Sequence, residues 1–171
     1  MPQIEQFTDK YAEKFKNSKS GFVLSRGLTY AVALEASLLL QETCYMQSVG
    51  YSSSEFLHGP IAVVNSETFI TIYCGKYEGD SEVQNAIRAE QIKGIHRILQ
   101  LKAPVLLVTN DNLLIGRFAN CNDALINVSL PEELSMFAFT VFAQMLACKM
   151  SCLIGNNPDN PRSLDKNVIT K

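Results

Sequence analysis

Histidine is scarce in this chain of 171 residues: His58 and His96 are the only two, and neither lies near the cysteines. Cys148 and Cys152 stand four apart on a helical stretch where core packing explains them, so no metal site is indicated. Charge is sparse as well, at 19% of residues against 47% hydrophobic. Fifteen basic and seventeen acidic side chains nearly cancel, leaving a net charge of -2. No basic run or basic-aromatic interleaving occurs, which argues against a nucleic-acid partner. Glu35, Gln41 and Glu42 break the most apolar stretch before it reaches the ~18 to 20 residues of a membrane span. Residues 1–18 carry the charge pattern of an exposed amphipathic helix and lack a signal-peptide core. Internal repeats and low-complexity linkers are missing too. The five cysteines, Cys44, Cys74, Cys121, Cys148 and Cys152, are odd in number and scattered, the pattern of reduced thiols in a cytoplasm.

What is present is the length of about one domain, enough to bury a core. Its apolar composition implies that a partner subunit covers part of the surface. Short β-rich runs without clean alternation occur at residues 22–24, 68–74, 104–108 and 124–128, as expected of strands buried on both faces. Helical periodicity lies between them, at about 6–17, 28–48, 81–101 and 131–154. Ser81 before Glu82 and Pro131 before Glu132 mark two helix starts, and Gly155 to Pro158 marks a stop. This rhythm predicts an α/β three-layer sandwich, a parallel sheet with helices on both sides and the 28–48 helix in the interior.

Two candidate regions follow. In open parallel sheets ligands gather beyond the carboxyl ends of the strands. That rule selects Ser25, Arg26, Gly27 and Thr29 after the first strand, where backbone N–H groups and hydroxyls are suited to an anion, and the loop around Lys76 after the second. A strand-to-helix turn capped by its own hydroxyls accounts for the same residues. The second region is Glu42, a carboxylate ending a strongly apolar stretch, followed sixteen residues on by His58 before Gly59-Pro60. Proton transfer at a sugar carbonyl needs a base at the carbon acid and a second group for the ring oxygen, in a site partly shielded from water. Glu35 lies two turns before Glu42 and shares its helix face. The plainer account of His58 is a loop-to-helix histidine with Pro60 in the first turn.

The run from Gly21 to Val64, GFVLSRGLTYAVALEASLLLQETCYMQSVGYSSSEFLHGPIAVV, resembles the sugar-isomerase (SIS) family. It matches the second SIS domain of the isomerising fructose-6-phosphate amidotransferases and related phosphosugar isomerases. Their pattern reads about GRG-x-x-Y-x-x-A-L-E-x-A-L-K-L-K-E, then Tyr, then G-E-x-x-H-G-P-x-A-L. Near the chain end, Pro161-Arg162-Ser163-Leu164-Asp165-Lys166-Asn167-Val168 is similar to the family's P-R-N-L-A-K-S-V-T. The two matches bracket about residues 21 to 171.

The resemblance implies a single flavodoxin-like SIS domain over 1–171, with an N-terminal helix (1–18) and a tail (155–171) that contributes to the site. It also implies a hexose or hexosamine 6-phosphate as ligand and no cofactor. Glu42 falls on the base that carries a proton between C1 and C2, and His58 on the ring-opening histidine donated across a dimer or from a partner SIS domain. Lys166 falls on the tail lysine at the open-chain carbonyl, and Glu35 on a supporting glutamate. Pro161, Arg162 and Leu164 are read as tail anchors, and His96 as an ordinary helix-face residue. Leu39 and Gln41 replace two lysines of the amidotransferase pattern, and the Ser/Thr phosphate loop of a first SIS domain is missing. The expected chemistry is therefore half of a phosphosugar isomerase. The alternatives are an amino-sugar-phosphate deaminase or fructosamine-phosphate deglycase, and a non-catalytic sugar-phosphate-binding or dimerisation module.

Overall fold

The computed structural model describes residues 2–76, 81–119 and 131–164. The chain runs α1 (Pro2–Phe15), β1 (Ser20–Ser25), a 3-10 turn (Gly27–Thr29), α2 (Tyr30–Cys44), β2 (Gln47–Ser52) and a single helical turn α3 (Ser53–Phe56). A second 3-10 turn (Pro60–Val63), β3 (Thr68–Cys74), α4 (Glu82–Leu99), β4 (Val105–Thr109), α5 (Asn112–Phe118) and α6 (Glu132–Leu153) follow. The strands form one parallel sheet in the order β2-β1-β3-β4.

Side chains alternate across a strand, so each strand feeds two cores. In β3, Phe69 packs on Phe15 of α1 and Tyr73 on Phe139 of α6, with ring centroids 5.5 and 5.8 Å apart. Cys74, of the opposite parity, meets α4, where Gln91 Nε2 donates to its sulfur at 3.3 Å. Phe22 of β1 reaches Phe56 of α3 at 5.0 Å. Helices α1, α2 and α6 thus make one layer, and α3 and α4 the other. All seven residues of β3 are buried, which is why it reads as a continuous apolar run. Burial, with the Asp111 carboxylate adding, pushes the Cys74 thiol up to about 12, so it behaves as a core side chain. Helix α4 opens on a capping box: Gln84 N–H donates to Ser81 Oγ, and Ser81 N–H to Gln84 Oε1, both at 3.2 Å.

The structure corrects four expectations. Cys148 and Cys152, expected as core packing, are both exposed on α6. The helix predicted over 28–48 ends at Cys44, and residues 47–52 form strand β2. Gln-Ser-Val-Gly-Tyr-Ser offers no apolar run, because β2 is an edge strand with only Ser48 buried, and the helical pattern before it masked the change. Helix α2 is also interior on one face only: Val32, Ala33, Ala36 and Leu40 are buried, whereas Leu34 and Leu38 are 48% and 47% exposed. Finally, α6 is long and apolar enough to cross a membrane by length and composition, although no such run was expected. Here its apolar positions Phe139, Phe142, Leu146 and Met150 are buried in the helical layer. The strand expected at 124–128 lies outside the described residues.

Gly50 lets α2 sit directly on β2. A Cβ there would lie 2.9 Å from the Ala33 carbonyl oxygen and 3.1 Å from Leu34 Cα, both backbone atoms that no rotamer change moves. Gly50→Ala is therefore expected to destabilise the protein by about 1–3 kcal/mol, read as a lower melting temperature.

A candidate active site at the end of helix α2

Helix α2 descends from the carboxyl end of β1 and stops at Tyr45, whose backbone is left-handed (φ 56°, ψ 36°). Leu40 O accepts from the Tyr45 and Met46 N–H groups, turning the chain into β2. Glu42 therefore stands at the amino-terminal edge of the sheet. It borders an open groove of about 840 Å³, walled by the end of α2, by Met46 to Val49 and by the returning segment Arg162 to Leu164.

Long-range bonds bring that segment back. Thr43 O, a free carbonyl at the helix end, accepts from Ser151 Oγ at 3.1 Å and Asn156 Nδ2 at 2.9 Å. Arg162 N–H donates to Tyr45 Oη at 2.9 Å, and the Arg162 guanidinium stacks 4.0 Å over the Tyr45 ring. Gln41, on the groove's rim, donates to Ser48 O at 2.7 Å and ties α2 to β2. The half-buried Glu42 carboxylate accepts no hydrogen bond and meets no cation among the described residues. A carboxylate in that state is free to accept a proton from a bound molecule.

The other sequence candidates lie elsewhere. Glu35 is half-buried two turns up α2 and does not line the groove. Ser25, Arg26, Gly27 and Thr29 sit at the opposite, carboxyl-terminal edge of the sheet. There Ser25 Oγ donates to Tyr73 O at 2.8 Å and lies 2.6 Å from Thr29 Oγ1, which in turn donates to Arg26 O at 3.1 Å. Both hydroxyls are buried and hold the turn; Gly27 (φ 66°) supplies its left-handed step. Arg26 reaches across to Glu90 of α4 at 2.8 Å. Lys76 is exposed, and its N–H donates to Asn110 Oδ1 at 2.7 Å.

His58 is exposed on the turn after α3, at the same edge as Arg26 and Glu90. Within one chain it is separated from the Glu42 groove by the length of β2, roughly 20 Å. Lys166 lies outside the described residues. His96 is exposed on α4, its ring 4.8 Å from Phe118. Among the described residues no three His, Cys, Asp or Glu side chains converge in a way that would hold a metal ion.

Arg26 holds the Glu90 carboxyl below the usual carboxylate range, chiefly by its hydrogen bond and charge, with His58 adding. A depressed folded-state pKa contributes stability above the unfolded value that disappears as pH falls through the folded one. The Arg26–Glu90 link is expected to persist at neutral pH and part in acid. In Arg26→Ala, the Glu90 titration followed by NMR should move up toward an ordinary glutamate; an unmoved curve would mean the link is not formed in solution.

Comparison with known proteins settles the family, since the family model for the SIS domain matches residues 14–154. The chain belongs to the SIS domain family. An isomerising glutamine--fructose-6-phosphate aminotransferase from Bacteroides thetaiotaomicron is 31% identical to this SIS chain over 178 aligned residues, covering 100% of the chain but 27% of the relative. The C-terminal domain of glucosamine-fructose-6-phosphate aminotransferase from Francisella tularensis superimposes with a TM-score of 0.79 at 21% identity, over 92% of this chain and 42% of that one. Glucosamine-6-phosphate deaminase from Thermotoga maritima gives 0.64 at 25% identity, over 99% of this chain and 47% of that one. The SIS chain thus spans about a quarter of such a curated relative and under half of these solved chains. Sequence reasoning named Glu42 as a candidate and read Arg162 and Leu164 as tail anchors, and all three line the groove. It passed over Gln41 and Tyr45 as groove-builders, although the tyrosine is part of the motif itself.

Proposed function

We propose that the Glu42 groove is the proton-transfer half of a phosphosugar isomerase site acting on a hexose or hexosamine 6-phosphate. The observation that carries this is the Glu42 carboxylate, unpaired among the described residues, in an open groove where α2, β2 and the tail segment 162–164 meet. Glu42 takes the proton from C2 of the open-chain sugar and returns it to C1, or the reverse. Lys166 is two residues beyond Leu164, a reach of at most about 7 Å, and it serves the carbonyl end of the same space.

A second SIS half completes the site. Gln41 and Leu39 stand in place of two family lysines, and the turn hydroxyls of Ser25 and Thr29 are already bonded within the fold, so the phosphate is held by a partner. The roughly 20 Å between Glu42 and His58 means that ring opening by His58 is supplied to the groove of another copy. The outward faces of α2 and α6 expose Leu34, Leu38, Phe137 and Val141, which a partner half or second copy would cover. Cys44, Cys74, Cys148 and Cys152, unbridged among the described residues, fit a reduced, cytoplasmic setting.

The committed turn hydroxyls also favour a second reading, a sugar-phosphate-binding or dimerisation module without catalysis. Deamination, as the Thermotoga maritima protein's name states for that enzyme, would start from the same proton transfer. Incubating the chain, alone and with a separately expressed SIS half carrying the Ser/Thr phosphate loop, in heavy water with fructose 6-phosphate and glucosamine 6-phosphate distinguishes them. Deuterium at C1 or C2 supports proton transfer, loss of ammonia identifies deamination, and binding without either leaves the module.

A further inference from the structure

Among the described residues two non-glycine positions have left-handed backbone, Tyr45 (φ 56°) and Ser163 (φ 61°), and both line the Glu42 groove. A large aromatic residue is a poor choice there, because its Cβ crowds the backbone in a region that glycine or asparagine enters at little cost. At the end of a helix, glycine is the usual solution. The strain at Tyr45 is balanced by what its side chain holds: the hydroxyl accepts the Arg162 N–H at 2.9 Å and the ring carries the Arg162 guanidinium at 4.0 Å. Asn156 and Ser151 fasten α6 to the adjacent carbonyl of Thr43, so the crossing is fixed on both sides of residue 157. Strained residues that persist only because their surroundings hold them concentrate where geometry matters for function.

We propose that Tyr45 and Arg162 form a clasp that holds the tail segment 161–164 as one wall of the Glu42 groove, making both positioning residues for the chemistry there. The proposal rests on the reading of Glu42 as the base. The clasp sets the groove's width on the side facing Glu42. It acts through the tail, with neither side chain required to touch the reacting carbons.

The test compares the full chain with Tyr45→Asn, Tyr45→Phe and Arg162→Lys. Asparagine accepts the left-handed backbone, so Tyr45→Asn should keep or raise the melting temperature while removing both parts of the clasp. Amide hydrogen exchange over residues 162–164 should then speed up by about tenfold or more, as losing a hydrogen bond and a stacked cation implies. Tyr45→Phe keeps the stack and loses only the acceptor, so it should fall between, and Arg162→Lys, which keeps charge and amide but loses the planar stack, should do likewise. In an assembly with a second SIS half, Tyr45→Asn should raise KM for the sugar phosphate about tenfold with a smaller change in kcat, and Tyr45→Phe should recover part of it.

Unchanged tail exchange in Tyr45→Asn overturns the clasp. Faster tail exchange with unchanged KM and kcat overturns its positioning role. A melting temperature that drops in step with activity in all three variants shows a structural role only and also overturns it. If the wild-type assembly transfers no proton, it is the reading of Glu42 that fails, and hydrogen exchange still decides the clasp without substrate.

Discussion

Glu42→Gln is expected to lower exchange of the C1/C2 proton with solvent by about 100-fold or more while leaving sugar-phosphate affinity nearly unchanged. The amide keeps the shape and length of the carboxylate, so the groove walls formed by Gln41, Tyr45 and Leu164 stay as they are. What is lost is the proton acceptor, a loss of about 2.7 kcal/mol of transition-state stabilisation at 100-fold. Because Glu42 has no hydrogen-bond or ionic partner among the described residues, the substitution should leave no buried group orphaned and little change in stability. The measurement is deuterium incorporation by NMR in an assembly that supplies a phosphate cradle, with a melting curve beside it. Exchange at the wild-type rate in the Gln variant would place the base elsewhere. A parallel Leu39→Lys variant should transfer protons at the wild-type rate, since the missing family lysine is not needed for that step.

Phe56→Ala carries the largest expected cost in stability, about 3–5 kcal/mol. Phe56 is fully buried, at 0% exposure, on the single turn α3, and its ring meets Phe22 of the central strand β1 at 5.0 Å. A four-residue helix has too few hydrogen bonds to stand by itself, so this one ring anchors the turn. The loss is a large part of the 5–15 kcal/mol that usually separates folded from unfolded states. Three residues further on, Gly59 has open space around it, so nothing there compensates. His58 rides on the segment Phe56 anchors, and the variant should lose any ring-opening function along with stability. Denaturant unfolding measures the first effect. Phe56→Leu, which refills most of the space, should recover a good part of the loss; recovery of none would mean that the ring does not anchor α3.

Much of the fold was legible because its physical cause is local. The strands β1, β3 and β4 are buried on both faces and had to be apolar runs, and the capping box at Ser81 and Gln84 declares the start of α4 in four residues. Strand β2 was hidden for the converse reason. Being at an edge, with Ser48 alone buried, it is specified by pairing with β1, in a register from Ser20↔Gln47 to Ser25↔Ser52 that no local pattern encodes.

The candidate site divides the same way. Residue identity and spacing alone singled out Glu42, His58 and the Ser25 to Thr29 turn, because carboxylates, imidazoles and glycine turns announce the chemistry open to them. Sequence could not say that the turn and Glu42 stand at opposite edges of the sheet, that the turn hydroxyls are already spent on Tyr73 O and Arg26 O, or that Arg162 returns to Tyr45 across 117 residues. Those facts depend on how far a helix carries its last turn from the strand before it and on which distant groups the packed layers bring within 3 Å. Sequence therefore determined the family, the parallel α/β plan and the candidate base. Tertiary structure alone decided which candidates share a groove, because proximity across the sheet is set by strand order and helix length, which no local spacing records.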